Sequence, residues 1–275
     1  MIGTFNMKEF VVPAKSRGVL VFAFNTTEID YVEIARRSAQ LVHHTLKLPV
    51  TLVTETGTPA NGFDDVVYID NTLQNYRIGE LGAWRNGDRF RAYDLTPYDE
   101  TLLIDSDYLM LDDSLLKLFD QPFDYRIMTH NHKPAAPWDL TMGMFGLQYQ
   151  WATAVLFRKS DRSKMLFDLV GRIQRNYRYY VKLYHVRDNN FRNDYAFTIA
   201  NNILNGYELG MDQGIPWSML TFADVVTSIT RKDTLLTVKE RDKGYVIAQQ
   251  NIHVMDKDYL LSDDFKQFVD TVCAD

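Results

Sequence analysis

The chain has 275 residues, 46% hydrophobic and 24% charged, with a formal net charge of −6. That balance is globular and excludes a disordered, collagenous or coiled-coil chain, and the length suffices to bury a core without staples. A single cysteine, Cys273, excludes an internal disulfide and fits a reducing compartment. The longest apolar run, Val19 to Phe24, falls far short of the ~20 residues that span a bilayer. The first 18 residues lack the long apolar core of a signal peptide. The sequence therefore reads as cytoplasmic, with no membrane partner.

Gly18 to Phe24 is a continuous apolar run, the pattern of a strand buried on both faces. Thr26 or Thr27 is placed to cap a helix carrying Ile29, Val32, Ala35, Ala39, Val42 and Leu46 at helical spacing, which Pro49 ends. Val50–Thr54 and Asp65–Ile69 read as strands, Arg89–Leu95 as a short helix, Thr101–Asp105 as a strand, and Ser114–Phe119 as a helical turn. This strand–helix alternation predicts an α/β fold with a mainly parallel central sheet and helices on both faces. Further on, Ala152–Phe157 reads as a strand. Ser160 is placed to cap one long helix reaching Tyr184, and Asn193 to cap another reaching Leu204. Leu235–Val238 and Tyr245–Ile247 read as a small antiparallel hairpin, and Asp263–Val272 as a helix. No linker interrupts this order, so residues 1–275 read as a single domain.

The sharpest feature is Leu102-Leu-Ile-Asp105-Ser-Asp107, an apolar strand running into Asp-x-Asp where the strand should end. Period-two geometry puts the two carboxylates on one side, at the strand end where open α/β sheets bind ligands. Paired carboxylates suit a hard divalent cation, Mn²⁺ or Mg²⁺. A calcium EF-hand loop is excluded, because Met110 and Leu116 stand where it needs Gly and Glu. A haloacid-dehalogenase-like phosphatase, with Asp105 as nucleophile, is an alternative.

The stretch Arg89 to Asp107, with Leu95, Thr96 and Tyr98, resembles the core of glycogenin-like (family eight) glycosyltransferases of the GT-A fold. Bacteriophage-encoded members of that group look similar. Two further blocks are similar to the family's later segments. They are Asn251-Ile-His253-Val-Met-Asp-Lys257, where Asp256 replaces the more usual Gly, and Arg192-Asn-Asp194-Tyr195, where Tyr195 replaces Gln. The resemblance implies a single GT-A-type, Rossmann-like domain. Residues 1–17 would form an N-terminal extension, 18–120 a nucleotide-sugar-binding half and 121–275 an acceptor-side half. It implies a metal-dependent hexosyl or pentosyl transfer, retaining in the family's manner, from a nucleoside diphosphate sugar such as a UDP-sugar to an acceptor hydroxyl. Asp105, Asp107 and His253 would hold the metal, Lys257 would grip the diphosphate and Asp194 would position the sugar. Arg89 and Ser106 would contact the nucleotide sugar. Two carboxylates with one imidazole suit Mn²⁺ on chemical grounds as well.

Nucleotide binding is expected at the end of the first strand, through Ala23, Phe24 and Asn25, with Tyr31 stacking on a base. The absence of Gly-x-Gly-x-x-Gly disfavours a dinucleotide cofactor. His130 and His132 read as part of an acceptor-facing loop leading to Trp138, and His43 and His44 as structural. Residues 158–192 carry +7 while the rest of the chain carries −13. Arg172, Arg175, Arg178 and Lys182 interleave with tyrosines there. That pattern suits either a solvated helix face or a nucleic-acid acceptor, such as a hydroxymethylated base in phage DNA. A non-catalytic nucleic-acid-binding module is the remaining alternative.

Overall fold

The structure is a computed structural model that describes residues 15–70, 75–76, 83–84, 86–134, 136–137, 141–142, 146–186, 190–208 and 214–274. The N-terminal strands are β1 (Arg17–Phe22), β2 (Val50–Glu55), β3 (Asp65–Ile69), β4 (Glu100–Ile104) and β5 (Tyr108–Leu109). They are followed by β6 (Tyr125–Lys133), β7 (Trp151–Arg158), β8 (Gly214–Phe222), β9 (Val226–Lys232), β10 (Leu235–Glu240), β11 (Lys243–Ala248) and β12 (Ile252–Val254). The principal helices are α1 (Tyr31–Leu46), α2 (Asp161–Arg175), α3 (Tyr177–Leu183), α4 (Asn193–Leu204), α5 (Lys257–Leu261) and α6 (Asp263–Ala274).

The main sheet runs β3-β2-β1-β4-β7-β6-β8-β12-β5. Neighbours are parallel from β3 to β4 and from β6 to β12. They are antiparallel where β7 inserts between β4 and β6 and where β5 meets β12. The α/β class and the mainly parallel sheet are as the sequence predicts. The small antiparallel element has three strands rather than two, because β9 joins the β10–β11 hairpin.

Only three residues separate the end of β4 from the start of β5, yet β5 lies at the far edge of the sheet. Five inter-strand steps of ~4.8 Å would separate the two strands by ~24 Å in a flat sheet, whereas the link spans at most ~14 Å. The sheet must therefore curl round until its edge strand returns to β4. Asp105-Ser106-Asp107 is the stitch that closes the curl.

The central apolar cluster holds β1, β2, β4 and β7 together with the inner faces of α1, α2 and α4. A second cluster gathers Ile34 and Leu41 of α1 with Phe222, Val226, Val238, Ile252 and the α6 residues Phe265 and Val269. α1 is thus gripped on two sides, which explains why Ile34 and Leu41 are buried although they lie off the expected stripe. Its buried Arg37 donates to the Leu260 and Ser262 carbonyls at 2.8 and 2.7 Å, pinning α5 beside it.

Three local details differ from expectation. Asp30, not Thr26 or Thr27, caps α1, accepting from the Glu33 N–H at 2.9 Å; Thr26 instead accepts from Ile29 in the preceding turn. The expected long helix breaks at Asn176, whose side chain donates back to the Arg172 carbonyl, so α2 and α3 are separate. The segment containing His130 and His132 is strand β6, not a loop.

Asn251, immediately before β12, clamps the curled end of the sheet. Its Oδ1 accepts from the Leu111 and Asp112 N–H groups at 2.7 and 3.0 Å, and its Nδ2 donates to Asp112. Asn251→Ala leaves two main-chain donors without this acceptor. The variant is expected to lose about 1–3 kcal/mol in urea unfolding. A wild-type midpoint would mean that the clamp does not hold this edge.

Candidate metal centre

The chain leaves β4 at Ile104 and turns immediately. The Asp105 N–H still donates to Thr153 on β7 (2.9 Å), the Tyr108 N–H returns to the Asp105 carbonyl (3.1 Å), and the Val254 N–H reaches the Asp107 carbonyl (3.0 Å). The turn is therefore fixed to β7 on one side and β12 on the other. His253 lies on β12 in register with Tyr108. One ligand atom from each of Asp105, Asp107 and His253 lies within 4.8 Å of the others. Two carboxylate oxygens and one imidazole nitrogen at that spacing form a donor set that fits Mn²⁺ or Mg²⁺.

Each carboxylate has its own cation. The Arg89 guanidinium, 1% exposed, pairs with Asp105 Oδ1 and also donates to the Ala152 carbonyl. Lys257 pairs with Asp107 Oδ2, and His253 Nε2 lies 3.3 Å from the same oxygen. Burial pushes the Asp105 carboxyl upward, with Arg89 opposing and Asp107 adding to the rise. Burial also acts against ionised Asp107, but Lys257 and His253 outweigh it and hold that carboxyl below the usual range. The two acids are thus driven apart, Asp105 upward by burial and Asp107 downward by Lys257 and His253.

These groups line a cleft of about 980 Å³. Ala23, Phe24, Asn25 and Tyr31 form the wall beyond β1, and Ser106 lies between the aspartates. Asn25 Oδ1 accepts from the Val32 N–H at 2.9 Å, which ties that wall to the start of α1. Asp194, in the first turn of α4, also lines the cleft, near enough to Asp105 for its charge to act on that carboxyl. Its Oδ1 accepts from the Ala152 N–H at 2.9 Å, and Arg192 lies 3.5 Å from its Oδ2. Burial, followed by the charge of Asp194, drives the Tyr149 phenol far above its ordinary value. All the donor-side candidates from the sequence therefore meet in one cleft. Arg89 sits within this set as a partner of Asp105.

The acceptor-side candidates do not join them. Arg172, Arg175 and Arg178 are exposed on α2 and α3, and His130 is exposed on β6; none lines the cleft. Trp138 lies outside the described residues. The cleft also contains Asn131, Trp151, Asn193, Thr221 and Met255, to which the sequence reading assigns no role. Asn131 sits between two histidines on β6, and strand alternation turns it inward where they turn away. Thr221 lies within the largely apolar run Met219–Phe222, a strand signal that could have placed it.

The sequence matches no family model and no curated protein. Among solved structures, the chain is similar to the galactosyltransferase LgtC in complex with donor and acceptor sugar analogues: 15% identity, 67% of this chain, 70% of that chain, TM-score 0.42. It is also similar to mouse xyloside xylosyltransferase 1 in its apo form: 12% identity, 70% of this chain, 83% of that chain, TM-score 0.41. A third similarity is to the glycosyltransferase GlyE of Streptococcus pneumoniae TIGR4: 15% identity, 74% of this chain and 45% of that chain, TM-score 0.39.

Arg89 is the most enclosed charge in the centre, so its removal strands the Asp105 carboxylate. Arg89→Leu is expected to destabilise the protein by less than the ~3–5 kcal/mol of a fully enclosed pair, because Asp105 opens partly onto the cleft. Adding Asp105→Asn should recover part of the loss. Strict additivity of the two changes in denaturant unfolding would show that the pair is not coupled.

Proposed function

We propose that the protein is a metal-dependent glycosyltransferase of GT-A type, moving a sugar from a nucleoside diphosphate, in the first instance UDP, to an acceptor hydroxyl. The observation that carries this reading is the convergence of Asp105, Asp107, His253 and Lys257 at one end of a cleft large enough for a nucleotide sugar. Asp105, Asp107 and His253 would hold Mn²⁺ or Mg²⁺, which when bound neutralises diphosphate oxygens and polarises the bond to the sugar. Arg89 orients Asp105 from behind. Lys257 supplies a second positive charge where negative charge grows on the departing diphosphate. Ala23, Phe24, Asn25 and Tyr31 form the wall offered to the base, with Tyr31 as the aromatic surface. Asp194, held by Ala152, is positioned to accept hydrogen bonds from sugar hydroxyls. We propose a retaining transfer in which the leaving diphosphate takes the acceptor proton; Glu28, an exposed carboxylate that also lines the cleft, is the alternative base.

In a thermal-shift series with Mn²⁺ and nucleoside diphosphate sugars, the matching donor at a hundred times its Kd should add about 2.7 kcal/mol of stability. Asp107→Ala is expected to abolish both this shift and metal-dependent donor hydrolysis while the protein stays folded. Hydrolysis of simple phosphomonoesters in place of nucleotide sugars would instead favour the phosphatase reading with Asp105 as nucleophile.

For the acceptor, we extend the proposal to nucleic acid. Arg172, Arg175, Arg178 and Lys182 are exposed on α2 and α3, and the sequence interleaves them with the exposed Tyr179. Cations beside aromatic rings follow a phosphate backbone and stack on bases. Replacing the three arginines by alanine should lower the slope of log K against log salt by about one per lost phosphate contact. Donor hydrolysis should remain, because these residues lie outside the cleft. Unaltered transfer to DNA would remove the role of these arginines, and no DNA binding or transfer by the wild type would remove nucleic acid as the acceptor.

A further inference from the structure

The three strands on the far side of the centre carry a hydrogen-bonded chain that the metal-site reading does not use. Thr221 on β8 lies in register with His253 on β12, so their side chains share a face of the sheet. The Thr221 hydroxyl donates to Asn131 Oδ1 on β6 at 2.7 Å, and the same Oγ1 lies 3.3 Å from His253 Nδ1. Asn131 is 0% and Thr221 1% exposed, so bulk water does not compete for these contacts.

A hydroxyl has one proton. Once Thr221 gives it to the Asn131 carbonyl oxygen, Thr221 can only accept from the imidazole. His253 Nδ1 must then carry a proton, and Nε2, 3.3 Å from Asp107 Oδ2, is the nitrogen left to face a cation. We infer that Asn131 and Thr221 are positioning residues that fix the tautomer and ring orientation of His253, so that Nε2 is presented to a divalent cation shared with Asp107. The inference rests on the metal-centre reading above and adds to it a polar shell that reaches two strands away from the ligand.

Nitrogen-15 spectra of the metal-free protein report the protonation of each ring nitrogen of His253 directly, and Mn²⁺ titration followed by electron paramagnetic resonance reports affinity. The wild type is expected to show a protonated Nδ1. Thr221→Val keeps the shape and removes the hydroxyl; Mn²⁺ affinity should fall by about 10–100-fold, and Thr221→Ser should restore it. Asn131→Leu is an independent variant. It releases the Thr221 proton toward Nδ1, so the ring should switch to an unprotonated Nδ1 and Mn²⁺ affinity should fall again. An unprotonated Nδ1 in the wild type, as an Asn131 amide turned to donate to Thr221 would produce, overturns the inference. So does wild-type Mn²⁺ affinity in a folded Thr221→Val. In both cases the metal centre itself would stand if the wild type binds Mn²⁺ and Asp107→Ala does not. Failure of the wild type to bind Mn²⁺ removes the centre and the positioning role together.

Discussion

Four Cα steps separate Ile104 from Tyr108, and the architecture of the site follows from that shortness. A link of at most ~14 Å cannot cross the ~24 Å that five flat inter-strand steps would demand, so the sheet bends until β5 and β12 stand beside the end of β4. The bend brings His253, nearly 150 residues downstream, against Asp107. The same bend leaves a concave space between β1, β4 and β12, which is the cleft. Main-chain bonds from Asp105 to Thr153 and from Val254 to Asp107 hold the turn at both ends. The two carboxylates are therefore fixed by backbone rather than by loop packing, which holds their positions more closely.

Charge balance makes this arrangement tolerable. Two carboxylates brought together under partial burial would repel and lose hydration. Arg89 and Lys257 each neutralise one of them, from opposite sides of the turn. Arg89 is enclosed and makes a second bond to Ala152, so it acts as part of the scaffold. Lys257 stands at the start of α5, 19% exposed, and so remains open to the cleft. The same kind of ion pair thus does structural work on one carboxylate and leaves an accessible cation on the other.

Much of this was legible in the sequence. The apolar lead into Asp-x-Asp located the turn, and β1, β2, β3 and β4 announced themselves because strands buried on both faces must be continuously apolar. β6 and β8 were not legible as strands. β6 alternates His, Asn and Lys near its end, and β8 carries Pro216 and Trp217, which signal a turn in isolation. The sheet accommodates Pro216 at a register shift between Ile215 and Ser218, where no ladder bond is required of it. Missing those two strands also hid Asn131 and Thr221, whose meaning lies only in what stands beside them. The break at Asn176 was hidden because the apolar stripe of α2 continues into α3 with its spacing intact.

Lys257 has one consequence for how the two halves of a cation–diphosphate pair would meet the protein. A cation arriving between Asp107 and His253 competes with the ammonium for the same carboxylate oxygen. Its apparent affinity for the otherwise empty cleft is reduced by that competition, and the lysine it displaces gains freedom to swing toward an anion. An anion that engages the ammonium first releases Asp107 for the cation by the same measure, since coupling free energies are reciprocal. On the proposed function, the ion pair would turn two separate binding equilibria into one cooperative event that favours joint arrival of cation and diphosphate over capture of either alone.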